Sequence, residues 1–227
     1  MRLANACVDV GLSTNALAPN AEVLAGRGGS GVDHVLPIRR GEDQHRQDVN
    51  GSVLKINHHD EPLPDDPASG YRELIIARNG RDAPTRLADP DGNLVTLAPP
   101  GLSSVSQIGI RIAVRDLGAH RRFWREAFGL VEQETDRGVA FAGESLLILE
   151  PAADAAGDAT LRGRGRRYIT FQVFKVDEAH AEVLAAGGRE GLAPVTLGTT
   201  ARISMVRDPD GNFIELSQRA SIVGSLI

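Results

Sequence analysis

Of 227 residues only one is a cysteine, so no internal disulfide can staple the fold, and Cys7 reads as a small core residue rather than a nucleophile. No apolar run approaches the roughly 18 residues that a membrane span needs, and the N-terminus lacks a cationic stretch followed by an apolar one. The expectation is a soluble, cytoplasmic protein with no membrane partner. Basic excess is missing too: a net charge of -5 and a pI near 5.7 are the wrong footprint for nucleic-acid phosphates. Aromatic residues make up only 4%, which leaves little material for a wall that stacks a large planar ligand.

What is present is a repeat. Asp89-Pro90-Asp91-Gly92-Asn93-Leu94-Val95-Thr96-Leu97 returns as Asp208-Pro209-Asp210-Gly211-Asn212-Phe213-Ile214-Glu215-Leu216. In each copy Pro, Asp and Gly supply the dihedrals of a tight turn, and the alternation behind it predicts a strand with one buried face. The copies differ three residues after the Asn, where the second has Glu215 and the first Thr96.

In the first half the pattern predicts a strand over 3–10, a helix over 13–25 closed by Gly26 and weakened by Pro19, and a strand over 32–39 carrying His34. Asn50-Gly51 predicts a hairpin pairing 44–49 with 52–57 across a two-residue turn. That register sets Arg46 opposite Lys55 and Gln44 opposite Asn57 on one face, with His45, Gln47, Leu54 and Ile56 on the other. Two cations face to face repel, so the pair needs either solvent to screen it or an anion between, and the face is either a solvated exterior or an anion-binding wall. A polar, proline-rich loop follows over 60–70, then a strand over 71–78 and the first repeat copy over 86–98. Pro99-Pro100-Gly101 and the serines after it mark a domain boundary.

The second half predicts a strand over 107–114, a helix capped by Asp116 that runs to Phe128 and ends at Gly129, and strands over 138–142 and 145–150. Leu117, His120, Phe123, Trp124, Ala127 and Phe128 form the apolar stripe of that helix. After an Ala/Gly/Asp linker the order recurs: a strand over 168–173, a helix over 177–186, and strands over 195–197, 202–207 and 213–217.

These modules, with Ile108–Leu117, Arg121–Leu130 ending in Phe-Gly-Leu, and Asp208–Leu216, resemble the vicinal oxygen chelate superfamily, which includes glyoxalase I, bleomycin-resistance proteins and extradiol dioxygenases. The resemblance implies an α+β fold in which paired βαβββ modules curl their strands into mixed half-barrel sheets around a ligand cleft, with helices outside and the N-terminal half abbreviated. It divides the chain into a degenerate unit over 1–101 and a complete one over 102–227, built from modules 106–151 and 166–218. Metal-dependent members hold a divalent ion with His or Glu from four strand positions, and these correspond to Gly109, Leu147, Tyr168 and Glu215 here. Only Glu215 is an ordinary ligand, which falls short of the donors such an ion needs. No cofactor is therefore firmly expected, and a divalent metal stays open only for the first half, where His34, His45 and His58 are the candidates.

Strand alternation from those four positions sets Arg111, Thr170, Gln172, Leu149, Phe213 and Ser217 on the cleft face, and Ile108, Ile110, Ile112, Val114, Ile169, Phe171, Val173, Ile214 and Leu216 on the core face. Arg111 and Glu215 either pair with each other or face a ligand. In the second case Arg111, Thr170, Gln172, Leu147, Arg46 and Lys55 bind substrate, Glu215 is the base through a pKa raised by desolvation, and Tyr168 is the proton donor. The expected function is a glyoxalase- or dioxygenase-like enzyme (lyase, isomerase or dioxygenase type) acting on a small anionic or oxygenated organic molecule. The alternative is a non-catalytic small-molecule binder of the drug-sequestering kind. The sequence leaves open whether modules pair within one chain or across a homodimer.

Overall fold

The computed structural model describes residues 1–18, 34–135, 138–155 and 157–226. The first module comprises β1 (Leu3–Thr14), β2 (His34–Arg39), β3 (Glu42–Val49) and β4 (Ser52–His59), and the second β5 (Tyr71–Ala77), β6 (Thr85–Ala88) and β7 (Leu94–Ala98). After a 3-10 turn at Leu102–Ser104, the third module is β8 (Ile108–Val114), α1 (Leu117–Phe128), β9 (Val131–Thr135), β10 (Gly138–Ala142) and β11 (Ser145–Pro151). The fourth is β12 (Gly165–Val173), α2 (Val176–Ala185), β13 (Arg189–Leu197), β14 (Ala201–Arg207) and β15 (Phe213–Arg219), and a short α3 (Ala220–Val223) follows. This is the expected α+β fold, with an abbreviated first half: between β5 and β6 the second module has neither the helix nor the extra strand of its counterparts.

Local chemistry accounts for most boundaries. Asp116 accepts from Ala119 N at 2.9 Å, and Gly129 closes α1 at φ 66°, a left-handed conformation that glycine adopts without penalty. The Asn50-Gly51 hairpin has the predicted register, Arg46 opposite Lys55 and Gln44 opposite Asn57. Two expectations need correction. Ser13 and Thr14 continue β1 rather than opening a helix, because β1 is sandwiched between β12 and β4 and tertiary pairing overrides the local cap signal. Leu17 and Ala18 are helical, so that helix starts after Thr14, and the rest of it, from residue 19 on, lies outside the described residues. Val131–Thr135 and the first six residues of β13 are strands that the sequence pattern missed; both elements lie at sheet edges, where one-sided pairing leaves little hydrophobic alternation to read.

The strands form two sheets, β13-β14-β15-β12-β1-β4-β3-β2 and β6-β7-β5-β8-β11-β10-β9. Each crosses the boundary near residue 101. The first module joins the fourth through antiparallel β1 and β12, and the second joins the third through antiparallel β5 and β8. Modules of the two halves thus pair with each other within the chain, and the two modules of residues 102–227 sit in different sheets. Between the sheets and helices lies one large core containing the whole predicted core face, closed by the mutually tilted rings of Trp124, Phe128 and Phe171. Among the described residues no helix is long and apolar enough to cross a membrane.

The repeated turns brace the sheets against each other. Asp208 Oδ1 accepts from Asp210 N and Asn212 N at 3.0 and 2.9 Å, and Oδ2 from Asn212 Nδ2 at 2.8 Å. Asp89 makes the same three bonds to Asp91 N, Asn93 N and Asn93 Nδ2. Each Asn then reaches across to the other sheet. Asn212 Oδ1 accepts from Gly70 N at 2.6 Å just before β5, and Asn93 Oδ1 accepts from Arg166 N at 3.1 Å in β12.

Candidate functional site

On the eight-stranded sheet, Val8, Val10, Leu12, Leu54, Ile56, Ile169, Phe171, Ile214 and Leu216 point into the core. Alternation sends Asp9, Gly11, Lys55, Asn57, Tyr168, Thr170, Gln172, Glu215 and Ser217 to the opposite face. Pairing aligns them: Asp9 beside Thr170, Thr170 beside Glu215, Gly11 beside both Tyr168 and Lys55. Four neighbouring strands, β15, β12, β1 and β4, thus contribute polar groups to one patch.

Lys55 sits at its centre. Its ammonium donates to Glu215 Oε2 in a short contact and to Thr170 Oγ1 at 2.8 Å, and lies 3.8 Å from Asp9 Oδ2. Thr170 Oγ1 in turn donates to Glu215 Oε2 at 2.5 Å. Asp9 is fixed by Val53 N at 2.9 Å and Gln172 Nε2 at 3.0 Å. All of these side chains are buried.

Burial alone would raise the Glu215 pKa, but Lys55, the Thr170 hydroxyl and Arg46 outweigh it and hold the carboxyl below its ordinary 4.5. The expected desolvated base is therefore an ion-pair partner that keeps its charge. A depressed folded-state pKa contributes stability that is present above the unfolded value and lost as pH falls through the folded one. Thermal melts between about pH 3 and about pH 7 should show wild type weakening below 4.5, with Glu215→Gln losing much of that acid dependence.

Tyr168 lies flat across β1. A Cβ on Gly11 would come within 2.2 Å of Tyr168 Cζ, so only glycine lets the ring pass. The hydroxyl oxygen accepts from Asn57 Nδ2 at 3.2 Å and Gln44 Nε2 at 3.4 Å. Burial, reinforced by the charge of Glu215, pushes its pKa far upward. Both bonds are accepted, so neither uses the phenol proton.

Arg46 and Arg219 complete the patch from β3 and from the end of β15. Arg46 Nη1 donates to Gln44 Oε1 at 2.8 Å. Its pKa is lowered by burial first and by the nearby Arg219 second. Among the described residues neither guanidinium has a carboxylate within salt-bridge distance. The sequence marked Arg46, Lys55, Tyr168, Thr170, Gln172 and Glu215, and the fold brings all six together. It missed Asp9 and Arg219. Asp9 was visible as a charge interrupting the apolar run Val8-Asp9-Val10.

A sequence profile of the Glyoxalase/Bleomycin resistance protein/Dioxygenase superfamily matches residues 105–216. Residues 105–216 belong to the vicinal oxygen chelate superfamily. Solved structures extend the likeness of fold to the whole chain. Glyoxalase I from Zea mays superposes with a TM-score of 0.71 at 16% identity over 96% of this chain and 92% of its own, and its V278E variant with 0.74 at 15% over the same shares. A dioxygenase described as putative from Bacillus subtilis strain 168 gives 0.67 at 11% identity over 100% and 91%. No curated protein sequence matches.

The divalent ion of metal-dependent superfamily members does not fit the residues here. The ammonium of Lys55 already lies among Glu215, Thr170 and Asp9, the oxygen donors that would have to surround it. Among the described residues no three His, Cys, Asp or Glu side chains are grouped to hold a metal. The proposed histidines do not converge. His34 pairs with Arg46 and so takes the face opposite His45, while His45 and His58 meet edge to face at 6.4 Å beside the core residues Leu54 and Ile56.

The seven-stranded sheet corrects two further assignments. Leu147, opposite Ile110, belongs to the core with Leu149, while Ile148, opposite Arg111, takes the other face. The alternation had been counted one residue out of step, which inverts a strand. Arg111 is in that sheet, not beside Glu215: its Nε lies 2.9 Å from Glu73 Oε2, and Nη1 meets Glu150. Glu73 also accepts from Thr96 at 2.5 Å. Val105 covers Gly109 and, with Leu102, packs on Ile75, Ala98, Ala140, Leu146 and Ile148. The chain's own connecting segment thus fills this second concavity.

Proposed function

We propose that the polar face of the eight-stranded sheet binds a small organic anion without a divalent ion. The observation that carries this reading is the pair of guanidiniums on that face, Arg46 and Arg219, which repel each other and have no carboxylate within salt-bridge distance among the described residues, Asp9 and Glu215 attracting Arg46 only from farther off. A carboxylate or enolate oxygen between them would relieve their mutual repulsion and gain charge-assisted, forked hydrogen bonds. Tyr168 then donates to a second oxygen of the ligand, and the Lys55–Glu215 pair forms the floor.

The chemistry favours binding over proton abstraction. Glu215 is the only carboxylate at the centre of the patch apart from Asp9, and the ammonium holds it in a weakly basic state. A sequestering or carrier role for a small acid follows, because proton abstraction of the lyase or isomerase kind needs a free base and Glu215 is tied to the ammonium.

The test is a thermal-shift screen of small 2-oxo and 2-hydroxy carboxylates, followed by affinity measurement on Arg46→Ala and Arg219→Ala. Each substitution should weaken binding by about 10-fold to 100-fold, the equivalent of one hydrogen bond to a charged group. Unchanged affinity in both variants for every carboxylate found would overturn the reading.

A further inference from the structure

The chain carries 25 Lys and Arg residues, and only two of them, Lys55 and Lys175, are lysines. Lys175 is exposed and pairs with Glu178 one helical turn away. Lys55 is 3% exposed and has two buried carboxylates and a hydroxyl around its nitrogen. Where nearly every other cation is a planar, forked guanidinium, the most enclosed position holds the side chain whose charge is a compact point with three donors.

We infer that Lys55 is a resident substitute for a divalent cation, and that Asp9, Thr170 and Glu215 form a latent cation site which the ammonium keeps closed. The three oxygens come from consecutive strands, β1, β12 and β15, in lateral register, which is the arrangement a cation bridging the middle of the sheet requires. The ammonium reaches them from the next strand, β4. Next to the site, Gln172 holds Asp9 through its amide nitrogen, and its Oε1 is buried without a hydrogen-bond partner among the described residues. The inference concerns the floor of the cleft and is independent of which anion lies above it.

The geometry specifies how to open the site. A glutamate side chain is one bond shorter than lysine, so Lys55→Glu would stop its oxygen about 1.5 Å short of the nitrogen position. That leaves room for a small hard cation about 2.1 Å away, facing Asp9, Thr170 and Glu215. The added carboxylate also supplies the negative charge that such a cation needs.

Wild type and Lys55→Glu are titrated with Mn2+ after chelation and dialysis, reading bound metal per chain and the shift in melting temperature. Lys55→Glu is expected to take one equivalent at least about 100-fold more tightly than wild type, with the gain abolished by a second substitution, Glu215→Gln. One equivalent bound tightly by wild type and lost in Glu215→Gln overturns the inference, as does a folded Lys55→Glu that binds no better than wild type. A measurement on wild type keeps the proposal testable if the variant does not fold. In protein labelled only at lysine nitrogen there are two ammonium groups to observe. Lys55 is expected to give a resolved, slowly exchanging NH3+ signal that Glu215→Gln removes; fast exchange at both lysines overturns it.

Discussion

Replacing Lys55 with methionine is expected to destabilise the protein by about 3–5 kcal/mol, the usual effect of leaving a buried charge without its partner. Two carboxylates would then share a buried patch: Glu215 would keep the Thr170 bond, and Asp9 its bonds from Val53 and Gln172, but the only cation left to them would be Arg46, beyond salt-bridge distance. Glu215→Leu alone should be less damaging, because the ammonium keeps Asp9 at 3.8 Å and the Thr170 hydroxyl at 2.8 Å. The double variant Lys55→Met/Glu215→Leu should recover part of the loss, since it removes one of the two carboxylates that lose the ammonium while Asp9 stays buried without it. Urea unfolding of the four proteins measures the coupling directly. A loss under about 1 kcal/mol for Lys55→Met would place the pair among ordinary surface ion pairs.

The next largest effect is expected at the repeated turn. Asp208→Ala orphans three donors at once, Asp210 N, Asn212 N and Asn212 Nδ2. Asp208 is fully buried, with His120 Nε2 3.1 Å from its neighbour Asp210, so water cannot step in for the missing carboxylate. With about 1–3 kcal/mol per unsatisfied buried donor, discounted because the turn can relax, a loss of about 3–4 kcal/mol follows. The matched change Asp89→Ala removes the same three bonds where Asp91 and Asn93 are partly exposed, and about 1–2 kcal/mol is expected because solvent replaces much of what is lost. Unfolding free energies of the two single variants decide it; equal losses would mean that burial does not set the strength of this motif.

Local signals carried much of the fold. The helix over Leu117–Phe128, its caps, the Asn50-Gly51 register and the core face Ile108, Ile110, Ile112 all follow from turn chemistry and periodicity acting over a few residues. Lys55 opposite Arg46 posed the problem of like charges meeting, and its answer lies 160 residues away in Glu215. No local pattern states that β1 lies beside β12, so the sequence offers Arg111, which belongs to the other sheet, as one of two readings for Glu215 and leaves Lys55 out of both as its partner. Leu147 failed for a different reason. Leu146, Leu147, Ile148 and Leu149 are all aliphatic and all buried, so alternation has no contrast from which to choose the inward face. Asp9 was readable as a charge inside an apolar strand, but its role depends on Thr170 and Lys55 arriving on either side.

Metal independence and anion binding meet in one titration. A carboxylate found by the thermal-shift screen is titrated calorimetrically into wild type in the presence of a chelator, and again with excess Mn2+. The expected result is the same affinity and one ligand per chain in both, because Arg46, Arg219 and Tyr168 supply the charge and the donors. Binding that appears only with Mn2+ would contradict it.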